Sequence, residues 1–200
     1  MSSTFTPLFS TYLWKAVSTI DNDRLLEECY HMKRTKIGTK FSNRGGGYQG
    51  NDFRSKELDT FIKDNIPKSK INVIDKASVF YWVNINGKGA WNFRHNHFQQ
   101  NGSIIFSGIY YVKTPKNSGV IRFYDPRNSM IYNCLDMQYF YGLSVPMHEI
   151  EPQAGECYYF PSWLEHDVEF NESEEDRVSI AFNLHLNVEN FSTSFNNKEL

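Results

Sequence analysis

Between residues 79 and 186 the chain breaks into short β-branched and aromatic runs separated by turn residues, and no other feature constrains its fold as strongly. Val79-Phe80-Tyr81-Trp82-Val83 is closed by Asn84-Ile85-Asn86-Gly87, and residues 104–112 form a second run ended by Pro115. Val120-Ile121-Arg122-Phe123-Tyr124 follows the turn Asn117-Ser118-Gly119, and Cys157-Tyr158-Tyr159-Phe160 lies between Ala154-Gly155 and Pro161. Residues 177–186 alternate most cleanly: Arg177, Ser179, Ala181 and Asn183 share one face, Val178, Ile180, Phe182 and Leu184 the other. Strands this short bury an apolar face only by packing sheet on sheet, which predicts an antiparallel sandwich or barrel. The expected fold is mainly β, a jelly-roll-like barrel.

The front of the chain has a different period. Asp21-Asn22-Asp23 supplies capping oxygens ahead of an apolar stripe of Leu25, Leu26, Cys29 and Tyr30, which predicts a helix. A second helix is expected over residues 55–65, with Leu58, Phe61 and Ile62 on one face and Pro67 as its stop. Both precede the strands and are expected to form a layer on one outer face. The chain reads as a single domain over residues 1–200, with a helical and loop layer at 1–70 and the β core at 71–190. Between the helices, Phe41-Ser42-Asn43-Arg44-Gly45-Gly46-Gly47-Tyr48-Gln49-Gly50 reads as a mobile surface or lid loop. No Gly-Lys-Ser/Thr follows it, which excludes a phosphate loop.

Composition narrows the partners. Lys and Arg total 21 against 23 Asp and Glu, so the net charge of −2 gives no basic face for nucleic acid or an anionic membrane. Apolar runs fall far short of a membrane span. Residues 1–7 show no basic head leading into an apolar stretch, so no secretory signal is expected and the chain reads as cytoplasmic. Cys29, Cys134 and Cys157 are odd in number and widely spaced, which does not make a disulfide framework.

Of six histidines, His95 and His97 stand two apart, and on a strand that spacing puts both imidazoles on one face. The pair can hold one metal ion, or be two exposed loop residues. His166, in Phe160-Pro161-Ser162-Trp163-Leu164-Glu165-His166, is placed to run up the inside of a barrel. Eleven residues on, Arg177 and Ser179 share a strand face, and a guanidinium beside a hydroxyl suits a carboxylate. Glu165 and Asp167 are expected to point away from His166, and Asp125 to approach a metal only through water. His31, His148 and His185 read as structural or solvated, and Trp163 as a packing residue.

The ordered set His95-x-His97, His166, Arg177-x-Ser179 resembles the Fe(II)/2-oxoglutarate-dependent oxygenases, and more closely an uncharacterised branch related to prolyl hydroxylases. Supporting segments are Ser107-Gly108-Ile109-Tyr110-Tyr111-Val112, Tyr124-Asp125-Pro126-Arg127 and Arg177-Val178-Ser179-Ile180-Ala181-Phe182-Asn183. The resemblance implies a double-stranded β-helix, cupin-like, around one Fe(II), with 2-oxoglutarate and O2 as cosubstrates. It assigns the metal to His95, His97 and His166, His97 standing where most members carry an acid. It assigns the far carboxylate of 2-oxoglutarate to Arg177, with Ser179 and Tyr111 assisting, and leaves Tyr110 to packing. Asn92 and Arg127 are candidate substrate contacts. The implied activity is hydroxylation of a C–H bond in a small-molecule or peptidyl substrate, releasing succinate and CO2. Two other readings stay open: a three-histidine cupin-type metalloenzyme that does not use 2-oxoglutarate, and a non-catalytic jelly-roll binding module.

Overall fold

The computed structural model describes residues 10–66, 77–99, 103–127 and 147–185. Within them eleven strands and two α-helices follow the order β1 (Trp14–Val17), α1 (Asn22–Thr35), β2 (Asn43–Arg44), β3 (Tyr48–Asn51), α2 (Lys56–Asn65), β4 (Ser78–Asn86), β5 (Trp91–His95), β6 (Ile104–Lys113), β7 (Ile121–Tyr124), β8 (Met147–Ile150), β9 (Glu156–Pro161), β10 (His166–Val168) and β11 (Arg177–His185). They form two antiparallel sheets, one of six strands ordered β1-β9-β6-β11-β4-β3 and one of five ordered β2-β5-β10-β7-β8. Pro67, Cys134 and Leu186, which entered the sequence reading, lie outside the described residues.

Helix α1 starts where Asp21 Oδ1 accepts the amide hydrogens of Asp23 and Arg24 at 3.0 and 3.2 Å. Lys33 and Arg34 sit in its last turn, where their charge suits the helix dipole. Helix α2 is capped by Ser55, whose hydroxyl accepts from the Leu58 amide at 3.3 Å. Leu25, Cys29 and Met32 of α1 and Leu58 and Ile62 of α2 are buried against one face of the six-stranded sheet, where Tyr81, Val83, Tyr110, Tyr159, Ile180 and Phe182 meet them. The thiols of Cys29 and Cys157 are free and buried, and burial pushes both up to about 12, so they are inert.

The other face of the six-stranded sheet turns inward. β11 pairs along its length with β4 and with β6, so its period-2 alternation divides two cores. Val178, Ile180, Phe182 and Leu184 lie under the helices, while Arg177, Ser179 and Ala181 line the space between the sheets. A second apolar cluster of Ile109, Tyr111, Ile121, Phe123, Tyr158, Phe160, Leu164 and Val168 fills part of that space.

Two elements differ from the sequence reading. Residues 41–50 are not a free loop: β2 pairs with β5 in the five-stranded sheet, and β3 with β4 in the six-stranded one. The glycines let the chain step from one sheet to the other. Gly45 has φ +64°, and a Cβ there would lie 2.2 Å from the Gly89 carbonyl oxygen. Ser42, Asn43 and Gln49 are consequently buried. The four-residue β1, which Trp14-Lys15-Ala16-Val17 is too short to announce, extends the six-stranded sheet beyond β9. Trp163, expected to pack, is 43% exposed.

Candidate active site

The site starts at one cross-strand pair. β10 runs antiparallel to β5 in a register that sets His166 directly opposite His95, with ring centroids 4.5 Å apart. His95 Nδ1 is 2.6 Å from the Phe93 carbonyl oxygen and His166 Nδ1 is 3.0 Å from that of Leu164. A carbonyl only accepts, so Nδ1 carries the proton in both rings and each Nε2 keeps a free lone pair. His97 follows the end of β5, where its amide donates to the Ser162 carbonyl at 2.8 Å and keeps the chain extended. Its ring lies 5.2 Å from each of the other two imidazoles and stacks on Trp82 at 5.4 Å and 23°. One nitrogen from each of the three histidines falls within 4.8 Å of the others.

Burial holds all three rings neutral. It lowers His95, pushes His97 down to about 3, and takes His166 well below the ordinary histidine range, with the neighbouring rings adding to the last two. Neutral imidazoles are the form that binds a metal. No carboxylate joins the cluster among the described residues. Glu165 pairs with Arg94 at 2.8 Å, and Asp167 takes both Nε and Nη2 of Arg122 at 2.8 and 2.9 Å. Asp125 is held by Arg127.

The imidazoles share a cavity of about 40 Å³ with Arg177, Ser179, Tyr111, Asn84 and Asn92. That is room for about three waters at roughly 10–15 Å³ each. Arg177 is 3% exposed and carries no ion pair among the described residues. Its Nη1 donates to the Ser118 and Gly119 carbonyls at 2.6 and 3.3 Å, and nothing described meets its other N–H groups. Burial pushes the guanidinium down to about 10, which leaves it charged at neutral pH. The Tyr111 hydroxyl is buried without a partner among the described residues, as is Asn84 Oδ1. Burial raises the Tyr111 phenol, so it stays protonated and able to donate. A charged donor and a neutral donor, both short of acceptors in one closed space, suit a carboxylate.

A second cavity of about 310 Å³ shares Ser42, Trp82, His95 and His97 with the first and continues past Lys40, Phe41, Gln49 and Asn183. Gln49 is 5% exposed, and its Oε1 accepts from the Phe41 amide at 3.3 Å. Its NH2 group meets no acceptor among the described residues. Of the residues singled out in the sequence, His95, His97, His166, Arg177, Ser179, Tyr111 and Asn92 line the inner cavity. Asn92 is tied there by Asn86 and Ser42 at 2.8 and 3.0 Å. Arg127 lines neither cavity, because its guanidinium folds back on Asp125 at the surface. Tyr110 is on the helix side, its hydroxyl donating to Asn22 Oδ1 at 2.7 Å. His31 and His148 are exposed, and His185 packs on Phe80 at 4.6 Å. Sequence reasoning placed Asn183 on the face of Arg177 without giving it a role, and assigned no site role to Trp82 and Asn84, which period-2 alternation places on the inward face. Gln49 falls in the 44–50 segment expected to hold substrate, and it lines the outer cavity, whereas Ser42, just before that segment, had no periodicity to single it out.

A family model described as "Putative 2OG-Fe(II) oxygenase" matches residues 80–183, just over half of the chain. The chain belongs to the 2-oxoglutarate–Fe(II) oxygenase family. No curated protein matches it. Among solved structures, a Pseudomonas putida prolyl-4-hydroxylase superposes with a TM-score of 0.61 at 14% identity, covering 88% of this chain and 94% of that one. A Trichoplax adhaerens prolyl hydroxylase, in complex with a hypoxia inducible factor peptide fragment, gives 0.60 at 12% identity over 90% of this chain and 86% of its own. HygX from Streptomyces hygroscopicus, with nickel and 2-oxoglutarate bound, gives 0.59 at 8% identity over 88% and 84%. At these identities the likeness is one of fold, and the fold of this oxygenase is the double-stranded β-helix. Among the described residues no helix is long and apolar enough to cross a membrane.

Proposed function

We propose that this oxygenase is an Fe(II)- and 2-oxoglutarate-dependent dioxygenase that hydroxylates a C–H bond. In this reading His95, His97 and His166 hold the metal, and Arg177, Ser179 and Tyr111 hold the far carboxylate of 2-oxoglutarate. The observation that carries it is Arg177: a buried cation that meets no counter-ion among the described residues, beside a Tyr111 hydroxyl that meets no partner among them, in the same cavity as three neutral imidazoles. A binding module has no need of such a charge, and neither does a three-histidine site that works without an oxoacid. Three neutral ligands leave a divalent ion its full charge, which a doubly negative oxoacid neutralises.

Bound Fe(II) and 2-oxoglutarate supply the oxidation, in which O2 converts the oxoacid to succinate and CO2 and delivers one oxygen atom to substrate. The chain's own work is positioning. The carbonyls of Phe93 and Leu164 fix the tautomers of His95 and His166, so that their free lone pairs face the cluster. Arg177 and Tyr111 orient the cosubstrate along the cavity. Ile121, Phe160 and Val168 keep that cavity apolar on its other side. The substrate, a small molecule or one residue of a peptide, enters by the outer cavity beside His97, where Gln49 and Lys40 offer donors.

The deciding experiment is anaerobic titration of the Fe(II) protein with 2-oxoglutarate. A visible charge-transfer band, developing at one equivalent, marks the oxoacid bound at the metal. Iron binding without any response to the oxoacid would overturn the reading.

A further inference from the structure

Asn117-Ser118-Gly119, a plain turn by sequence, carries the chain from β6 of the six-stranded sheet to β7 of the five-stranded one. The Ser118 amide donates to the Pro115 carbonyl at 3.1 Å and closes the turn. Asn117, at φ +62°, holds the place where asparagine or glycine takes the left-handed region. Gly119 follows at φ +86°, and a Cβ there would lie 2.7 Å from the Phe170 carbonyl oxygen and 2.8 Å from that of Glu169. The stretch after β10 grips the turn from that side. The Glu172 amide donates to the Asn117 carbonyl at 2.9 Å, and the Glu169 amide to that of Val120 at 3.0 Å. The carbonyls of Ser118 and Gly119 are thereby aimed at Arg177, whose Nη1 donates to them at 2.6 and 3.3 Å. The turn also walls a surface cavity of about 690 Å³, so its backbone geometry and these bonds, rather than close packing on that face, set where the carbonyls stand.

We propose that the turn over residues 115–119 is the positioning element for Arg177: its two carbonyls commit Nη1 to the protein and leave the edge formed by Nε and Nη2 to the inner cavity. A guanidinium grips a carboxylate through two parallel N–H groups. It has two forks able to do so, one made by Nη1 with Nη2 and one by Nη2 with Nε. Arg122 shows the second, with Nε and Nη2 on the two oxygens of Asp167 at 2.8 and 2.9 Å. With Nη1 held by the turn, the second is the fork left to Arg177. A side chain already fixed at one corner also loses less freedom when its ligand arrives. That the ligand is 2-oxoglutarate rests on the function proposed above, whereas the hold on Nη1 does not.

The test is nitrogen-15 NMR of the protein labelled at arginine, first alone and then with zinc(II) and 2-oxoglutarate, the Arg177 signals being assigned by their loss in R177K. In the protein alone, Nη1 and Nη2 of Arg177 are expected to give separate signals, because the turn stops the rotation that makes them equivalent in a free side chain. On addition of zinc(II) and 2-oxoglutarate, the Nε and Nη2 signals are expected to move while Nη1 stays. G119A sets a Cβ against the carbonyls of Glu169 and Phe170 and displaces the turn. In folded G119A the Nη signals are expected to merge. The KM for 2-oxoglutarate should rise by at least about tenfold, the usual cost of loosening a hydrogen-bonded charge, with cobalt(II) affinity and the kcat of substrate-free turnover unchanged. Merged Nη signals in the wild type alone would overturn the proposal whether or not G119A folds. So would a response of Nη1 and Nη2 to 2-oxoglutarate with Nε unmoved, or wild-type signals and KM in folded G119A. Separate Nη signals in a protein whose Arg177 ignores 2-oxoglutarate would support the turn's hold and count against the cosubstrate reading instead.

Discussion

Arg177 states the conflict between stability and function most sharply. Burying a guanidinium without a carboxylate costs several kcal/mol, and the two carbonyls on its Nη1 recover only part of that. R177M, close in length and uncharged, is therefore expected to raise the melting temperature of the ligand-free protein. It should also abolish the increase that 2-oxoglutarate gives the wild type; a lower melting temperature together with a retained oxoacid response would refute the anion role. R177K keeps the charge without the fork. Losing a buried charge-assisted contact costs about 2–5 kcal/mol, so R177A is expected to raise the 2-oxoglutarate KM by at least about thirtyfold while iron content stays near normal. Glu156 shows a simpler dependence on pH. Burial works against its charge, but bonds from Lys15, the Tyr158 hydroxyl and the Gln153 amide outweigh that and hold its carboxyl below the ordinary value. A carboxyl depressed in the folded state stabilises above its unfolded pKa and stops doing so as pH falls through the folded one. E156Q is thus expected to lower the melting temperature at neutral pH and to narrow its gap from wild type in acid, measured by thermal denaturation across that range.

At the scale of elements, the helices and the β2–β3 crossing do different work. Helices α1 and α2 are propped by caps at Asp21 and Ser55 and by one apolar face each, and they cover the side of the sheet away from the metal candidates. L58A, at a fully buried position, is expected to cost about 2–5 kcal/mol in denaturant unfolding without altering cobalt(II) affinity. The crossing is tied to the site itself, since Ser42 lines both cavities and binds Asn92. G45A forces a Cβ against the Gly89 carbonyl, so both stability and access to the outer cavity are expected to suffer, read as a lower melting temperature and a changed substrate-free turnover of 2-oxoglutarate. The sequence marks this segment by its three glycines, yet glycine signals only backbone freedom. Whether that freedom serves a mobile lid or a tight step between sheets depends on which strands lie alongside. Here β5 and β4 lie alongside, on different sheets.

For the whole molecule, a ligand that binds only the folded chain stabilises it by mass action. Fe(II) or cobalt(II) together with 2-oxoglutarate is expected to raise the melting temperature more than either alone, and H166A to remove the metal's share, both read by differential scanning fluorimetry. Much of this architecture was open to reading from the residues. The alternation in β11 separates Arg177 and Ser179 from Val178 and Ile180 because successive side chains in a strand point oppositely, a local property that needs no partner. The helical stripes and their caps are local in the same sense. The histidine spacing and the Arg-x-Ser pair were equally visible, as candidates. Other features arise between segments far apart in the chain and belong to the tertiary structure alone. Register set His166 opposite His95 across 71 positions, and sheet packing left Arg177 without a counter-ion among the described residues. The ring of His97 came to stack on Trp82 for the same reason. Periodicity says which face a side chain takes. Only the closing of one sheet over the other decides which groups it meets there and which of its hydrogen bonds remain unfilled.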